Sequence, residues 1–395
     1  MDPRRSKVTL GSSLGLGALL FAAACQGTLG GSNPVEQQAE EEQLDVSNDV
    51  NGTQLTTVLD QRVLSFADAY RTASIKLTDR LPTLQTIRDF EKAEDKRAVY
   101  SAAIDAMFES NDFKRRMLRF ARDTFRQGGG QGGQLDTAPA FLARILVEGR
   151  PFSELFTATS NNCPTFDGDT NSFVDGTCAS GVPVEAGVLT NPGTMKHFNS
   201  SMAFRRVRWV QEMFACTKFP AEYSAAPVDM GAGQFTSPWP FESIATAPID
   251  FQDTSAVVCA NCHTTMNHLA PLFGHFDANG MWKNDLQVMT PTAPDPQKTQ
   301  LSHWLKDGET TAWRLGQPVK DLAELGQAMA ADPEVKSCLV ARLWNLTMSK
   351  EDIVSDLATV PTRVVQAYID QLDENGGNLR DTLKSMFKSE DFTRF

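Results

Sequence analysis

Cys259-Ala260-Asn261-Cys262-His263, two cysteines three apart with a histidine directly behind them, constrains this chain more than any other stretch. Residues at i and i+3 are neighbours on a helix surface. Two such thiols reach the two vinyl groups along one porphyrin edge, and the adjacent imidazole reaches the iron. CxxCH is the attachment signature for c-type haem. Covalent attachment keeps the group where a site is partly open to solvent, and the histidine sets one axial position. A structural zinc site would need a second CxxC, and a thioredoxin-like pair would need a strand–turn–helix around it. The sequence shows neither. One motif predicts one covalent haem c, with thioethers at Cys259 and Cys262 and His263 as the proximal ligand.

The sixth iron position is expected to fall to Met289, in Gln287-Val288-Met289-Thr290-Pro291, on a Pro-flanked loop. His303, Met281 and His275 compete, whereas Met266 and His268 follow His263 too closely to reach the opposite face. Phe273, Phe276, Trp282 and Trp304 are the aromatics that could wall a haem, with plain core packing the alternative for two of the four. Lys114, Arg115, Arg116, Arg119, Arg122 and Arg126 lie around a helix with an apolar face. A solvated face is expected there, and the rival reading is a partner for haem propionates or an acidic redox protein. Asp167, Asp169, Asn171 and Asp175 alternate like the first part of a calcium loop. Ser172 stands where that loop wants Gly and Cys178 where it wants a bidentate Glu, so an acidic surface turn is expected instead. His197 is read as a structural or surface residue. No nucleophile elbow, HExxH, P-loop or dinucleotide fingerprint is present.

The N-terminus has Arg4, Arg5 and Lys7 before an apolar run that ends in Ala22-Ala23-Ala24-Cys25. This resembles a bacterial lipoprotein signal, with Cys25 lipidated as the mature N-terminus; an ordinary secretory leader is the alternative, and both predict export. Gln26 after Cys25 favours the outer membrane by the same resemblance, with the body in the periplasm or at the cell surface. Export puts the remaining cysteines where disulfides persist. Setting aside Cys25, Cys259 and Cys262 leaves four, which allow three pairings. Cys163–Cys178 is expected because it closes a short loop, a closure of roughly 3 kcal/mol in the chain-entropy model. Cys216–Cys338 follows by elimination.

The predicted fold is mainly α, a multi-helical body with an embedded cytochrome c-like haem module and long irregular loops. The expected segments are a leader (1–24), an acidic tether (25–50), an N-terminal helical domain (51–127), a helical and loop domain carrying a disulfide (134–225), the haem segment (226–310) and a C-terminal helical domain (311–395). Ala98, Tyr100, Ile104, Met107 and Phe108 recur at helical spacing, as do Phe113, Met117, Phe120 and Phe125. Residues 128–133 are nearly all glycine and read as a flexible joint. Phe141–Val147 and Ala203–Cys216 read as further helices, and residues 217–255 as an irregular wrap. Asp332-Pro333, Pro361 and Asn378 mark helix starts. Met107-Phe108, Ser110 and Asp112-Phe113 are echoed by Met386-Phe387, Ser389 and Asp391-Phe392, each a helix, a cap and a new Phe anchor.

Residues 259–282 (CANCHTTMNHLAPLFGHFDANGMW) resemble the planctomycete-type cytochrome domains: CxxCH, a nearby Met, then FD, Gly and Trp. RRVRWVQEMFACTKFP (205–220), AGVLTNPG (186–193) and RPFSELFTA (150–158) are similar to the segments that precede that motif. SIKLTDRLPTLQTIRDF (74–90) and LAELGQAMAADPEVKSCLVARL (322–343) are similar to its helical companion domains. The chain departs from the family at Asn267-His268, where Asp-Pro is usual, and at Met281, where Arg is usual. The resemblance implies a haem domain within a multi-domain exported protein and leaves substrate open. Three functions are weighed: electron transfer with periplasmic or membrane redox partners, haem-dependent oxidation at an open iron site, and an assembly module with structural haem. The formal net charge of −12 lacks the basic footprint that a nucleic-acid partner would need.

Overall fold

Short polar side chains start the first four helices: α1 (Phe66–Thr78), α2 (Leu84–Lys92), α3 (Lys96–Glu109) and α4 (Asn111–Phe125). Ser65, Thr83, Asp95 and Ser110 each accept a hydrogen bond from the backbone N–H three residues on, which satisfies a donor that the helix itself leaves unpaired. The computed structural model describes residues 61–129, 133–218, 228–229, 236–237, 252, 257–290, 293–298, 303–314 and 316–395. The leader, Cys25, the tether and most of 217–255 lie outside the described residues.

The described residues are mainly helical, as expected. After α4 the chain turns into α5 (Thr137–Glu148), which packs along it. Gly128 and Gly133 both hold positive φ at this turn. The described ends of the glycine run therefore reverse the chain between two packed helices. The single turn α6 (Glu154–Thr157) leads to an antiparallel pair, β1 (Thr165–Asp167) and β2 (Ser172–Val174), with Phe166 opposite Phe173. Next come α7 (Pro192–His197) and α8 (Phe204–Phe214), then the short pair β3 (Val228–Asp229) and β4 (Thr236–Ser237), then α9 (Val257–Phe273). Two further antiparallel pairs follow: β5 (Gln287–Thr290) with β6 (Ala293–Lys298), and β7 (Ala312–Arg314) with β8 (Gln317–Pro318).

The C-terminal part holds α10 (Leu322–Ala331), α11 (Pro333–Met348), α12 (Thr362–Glu374), α13 (Leu379–Lys388) and the short α14 (Glu390–Thr393). Their starts agree with the sequence reading: Asp332 caps α11 with Pro333 first, Pro361 precedes α12 and Asn378 caps α13. The echoed corners match too. Ser110 and Ser389 cap α4 and α14 through the N–H groups of Phe113 and Phe392. The paired rings, Phe108–Phe113 and Phe387–Phe392, lie 4.5 and 4.7 Å apart. Ala98 departs from its expected apolar face and is exposed.

Leu64–Phe395 cluster as one compact unit. One apolar cluster runs from Ala69 to Phe392, through the segments that the sequence divides at 127/134, 225/226 and 310/311. Its two ends meet: the Ser65 N–H donates to the Thr393 carbonyl at 3.0 Å, and Leu64 bridges Arg394. Both expected disulfides are formed, Cys163–Cys178 and Cys216–Cys338. The second ties the residues just after α8 to α11.

Candidate functional site

The CxxCH segment occupies the first two turns of α9, so its two cysteines and His263 lie on one helix as their spacing requires. The side chains of Cys259 and Cys262 lie outside the described residues. Beyond them Met266, Leu269, Ala270 and Phe273 are buried at three- and four-residue intervals, seating α9 against α8 and β7.

His263 is 8 % exposed and Asn267, one turn on, 4 % exposed. His263 Nδ1 and Asn267 Oδ1 are 3.1 Å apart. An amide oxygen only accepts, so the proton of the neutral ring sits on Nδ1 and its lone pair on Nε2. Burial holds the His263 pKa below the ordinary imidazole value, and the Asn267 hydrogen bond partly offsets this. The neutral, metal-ligating form is therefore favoured. Phe204, the first residue of α8, meets the His263 ring edge-on at 4.9 Å and the Trp304 ring edge-on at 5.9 Å. Trp304 is fully buried, and its Nε1–H has no hydrogen-bond partner. An orphaned buried donor costs about 1–3 kcal/mol.

A buried cation fixes the far end of α9. Arg206, on α8, donates to the carbonyls of Phe273 (3.1 Å), Phe276 (2.9 Å), Asp277 (3.0 Å) and Met195 (2.9 Å), and to Asn199 Oδ1 (3.1 Å). Helix C-termini leave carbonyls unpaired and carry partial negative charge, so a guanidinium collects them well. Burial lowers its pKa to about 10, with Asp277 opposing, and it stays charged at neutral pH. The following turn is closed by Gly280 at φ +78°, where a Cβ would run into the Pro192 carbonyl.

The other candidates are distributed unevenly. Met289 lies in strand β5, where a loop was expected, because residues 287–290 pair with 293–298; its side chain lies outside the described residues. Met281 is half-buried in the turn after α9, and its N–H donates to Asp277 Oδ1. His303 is half-buried beside Trp304. His268 and His275 direct Nδ1 to the carbonyls of Thr310 (2.6 Å) and Lys283 (3.3 Å). Of the four aromatics, Phe273, Phe276 and Trp304 are core, and Trp282 is half-buried over His275. His197 is exposed, as expected.

The basic helix face is not simply solvated. Arg116 and Arg119 pair with Asp79, Arg122 with Asp136, and Arg126 with Glu212 and Asp352. Arg115 reaches Asp112, and Lys114 donates to Asn111 Oδ1. Arg116, Arg119, Arg122 and Arg126 thus tie α4 to its neighbours, whereas Lys114 and Arg115 pair within the helix. In the acidic turn, Asp167 Oδ1 accepts from the N–H groups of Asp169 and Thr170, while Asp175 pairs with Arg144. Two of the four residues that alternate like a calcium loop, Asp167 and Asp175, thus serve a hairpin turn and an ion pair. Among the described residues no group of three or more His, Cys, Asp or Glu could hold a metal ion.

A cleft of about 520 Å³ opens at the far end of α9 between Pro271, His275, Trp282, Val184 and Thr310. His263 does not line it. Sequence reasoning missed Arg206, Phe204 and the acceptor role of Asn267; only the last left a signal, its i+4 spacing from His263. Comparison with family models, curated proteins and solved structures finds no match. Among the described residues no helix is long and apolar enough to cross a membrane.

Proposed function

We propose that this chain is an exported, lipid-anchored monohaem c-type cytochrome that passes electrons between periplasmic or membrane partners. The carrying observation is a CxxCH on a helix whose histidine is buried with Nδ1 engaged by Asn267. The residues fit the group. Cys259 and Cys262 would hold it by thioethers, His263 Nε2 would take the iron, and the buried Trp304 Nε1–H would meet an acceptor on it. When bound, the haem supplies a one-electron couple whose potential follows its axial ligands and burial. Met289 is the proposed distal ligand, with His303 and Met281 as rivals. Cys25 would anchor the body to the membrane.

The test is purification from a host with haem-attachment machinery, followed by acidic acetone extraction and mass measurement. One covalent haem per chain is expected, one thioether lost in Cys259→Ser or Cys262→Ser, and an altered spectrum in His263→Ala. A wild-type chain with no porphyrin mass refutes the proposal. Met289→Ala should turn a low-spin spectrum high-spin; an unchanged spectrum passes the role to His303 or Met281.

A second reading is haem-dependent oxidation of a small substrate at an open iron site. A five-coordinate, high-spin ferric spectrum in the wild type would support it over electron transfer.

A further inference from the structure

We propose that Asn267 is the positioning residue for the iron-binding imidazole: its side-chain oxygen keeps the proton on His263 Nδ1 and, through that bond, sets how strongly Nε2 donates. This rests on the haem reading above. A histidine that binds iron through Nε2 needs its other nitrogen protonated and held, and the partner of that N–H tunes ligand strength. The acceptor here is a neutral amide 3.1 Å away, with both residues almost wholly buried. Water has little room to compete for the bond.

The ring is gripped from a second side by the edge of Phe204, so its plane as well as its tautomer is set. Pro271, four residues after Asn267, has no N–H to give the Asn267 carbonyl, and its ring crowds that carbonyl. A carboxylate at 267 would pull harder on the Nδ1 proton and favour ferric iron, an alkyl group would not pull at all, and the amide sits between them.

The test uses the mature haem-loaded chain and the variants Asn267→Asp, Asn267→Leu and Asn267→Gln. Haem content is measured by extraction and the midpoint potential by spectroelectrochemical titration. The expected order is Asp lowest, wild type between, Leu highest, and Gln nearest the wild type. Each outer step should be about tenfold in the reduction equilibrium, which is 59 mV for one electron. Should the Leu variant fail to fold, Asp and Gln still decide the order. Equal potentials at equal haem content overturn this inference alone; a wild-type chain without haem overturns the function it rests on.

Discussion

The two serine-capped corners, near opposite ends of the sequence, and helix α9 between them in chain order are held by opposite means. At each corner a serine accepts from the N–H three residues on and donates to the carbonyl three residues back, at 2.7 Å in both Ser110 and Ser389. The capping bonds of each corner lie within a few residues. Between them in chain order, the far end of α9 is held by Arg206, which bonds carbonyls 67 to 71 positions away. The His263 ring leans on Phe204, also on α8. Local chemistry builds the frame, and long-range chemistry aims the site.

Four experiments break or sharpen this contrast. Replacing Cys216 and Cys338 together by Ser removes a closure over 122 positions, worth about 5 kcal/mol in the chain-entropy model. Urea unfolding should show the largest loss of the set. Arg206→Met should cost about 3–5 kcal/mol, since it strands several buried carbonyls, and Arg206→Lys should recover less than half. If Met unfolds at the wild-type midpoint, α9 does not need the cation.

Asp332 stands at the border between the two styles. It caps α11 locally and also accepts from Trp313 Nε1 at 2.6 Å and from Arg314 Nε at 2.5 Å. Burial alone would raise its pKa, but these hydrogen bonds hold it below the ordinary carboxylate value. Its contribution is therefore present above the unfolded value near 3.8 and is lost as pH falls through the lower folded value. Asp332→Asn should cost about 2 kcal/mol at pH 7 and much less once pH has fallen through that lower folded value; a pH-independent cost would deny the charge any part. Ser110→Ala and Ser389→Ala should each cost about 1 kcal/mol. The Ser110 change should cost more, because it begins 15 residues of helix and Ser389 only four.

The frame was legible because its signals are short-ranged. A capping serine, Pro333 behind Asp332, and four cysteines left after Cys25 and the motif are set aside can all be read without knowing the fold. The site was legible only at CxxCH. An arginine that will bond five oxygens looks in sequence like its neighbours Arg205 and Arg208. The cations of α4 suggested a solvated face because Asp79, Asp136, Glu212 and Asp352 come near them only through folding. Met289 read as loop because Pro291 ends its apolar run, while the pairing partner, residues 293–298, carries two prolines of its own. Trp304 gave no sign that its N–H would be left without an acceptor.

The bridge between Leu64 and Arg394, with the Ser65–Thr393 hydrogen bond beside it, makes the body a loop already fastened at its clasp. A short peptide joining Phe395 to Leu64 would close the covalent circuit of the body with little rearrangement, and new termini could then be opened elsewhere on the surface. A reporter fused behind Phe395 would sit beside the point where the chain enters the body.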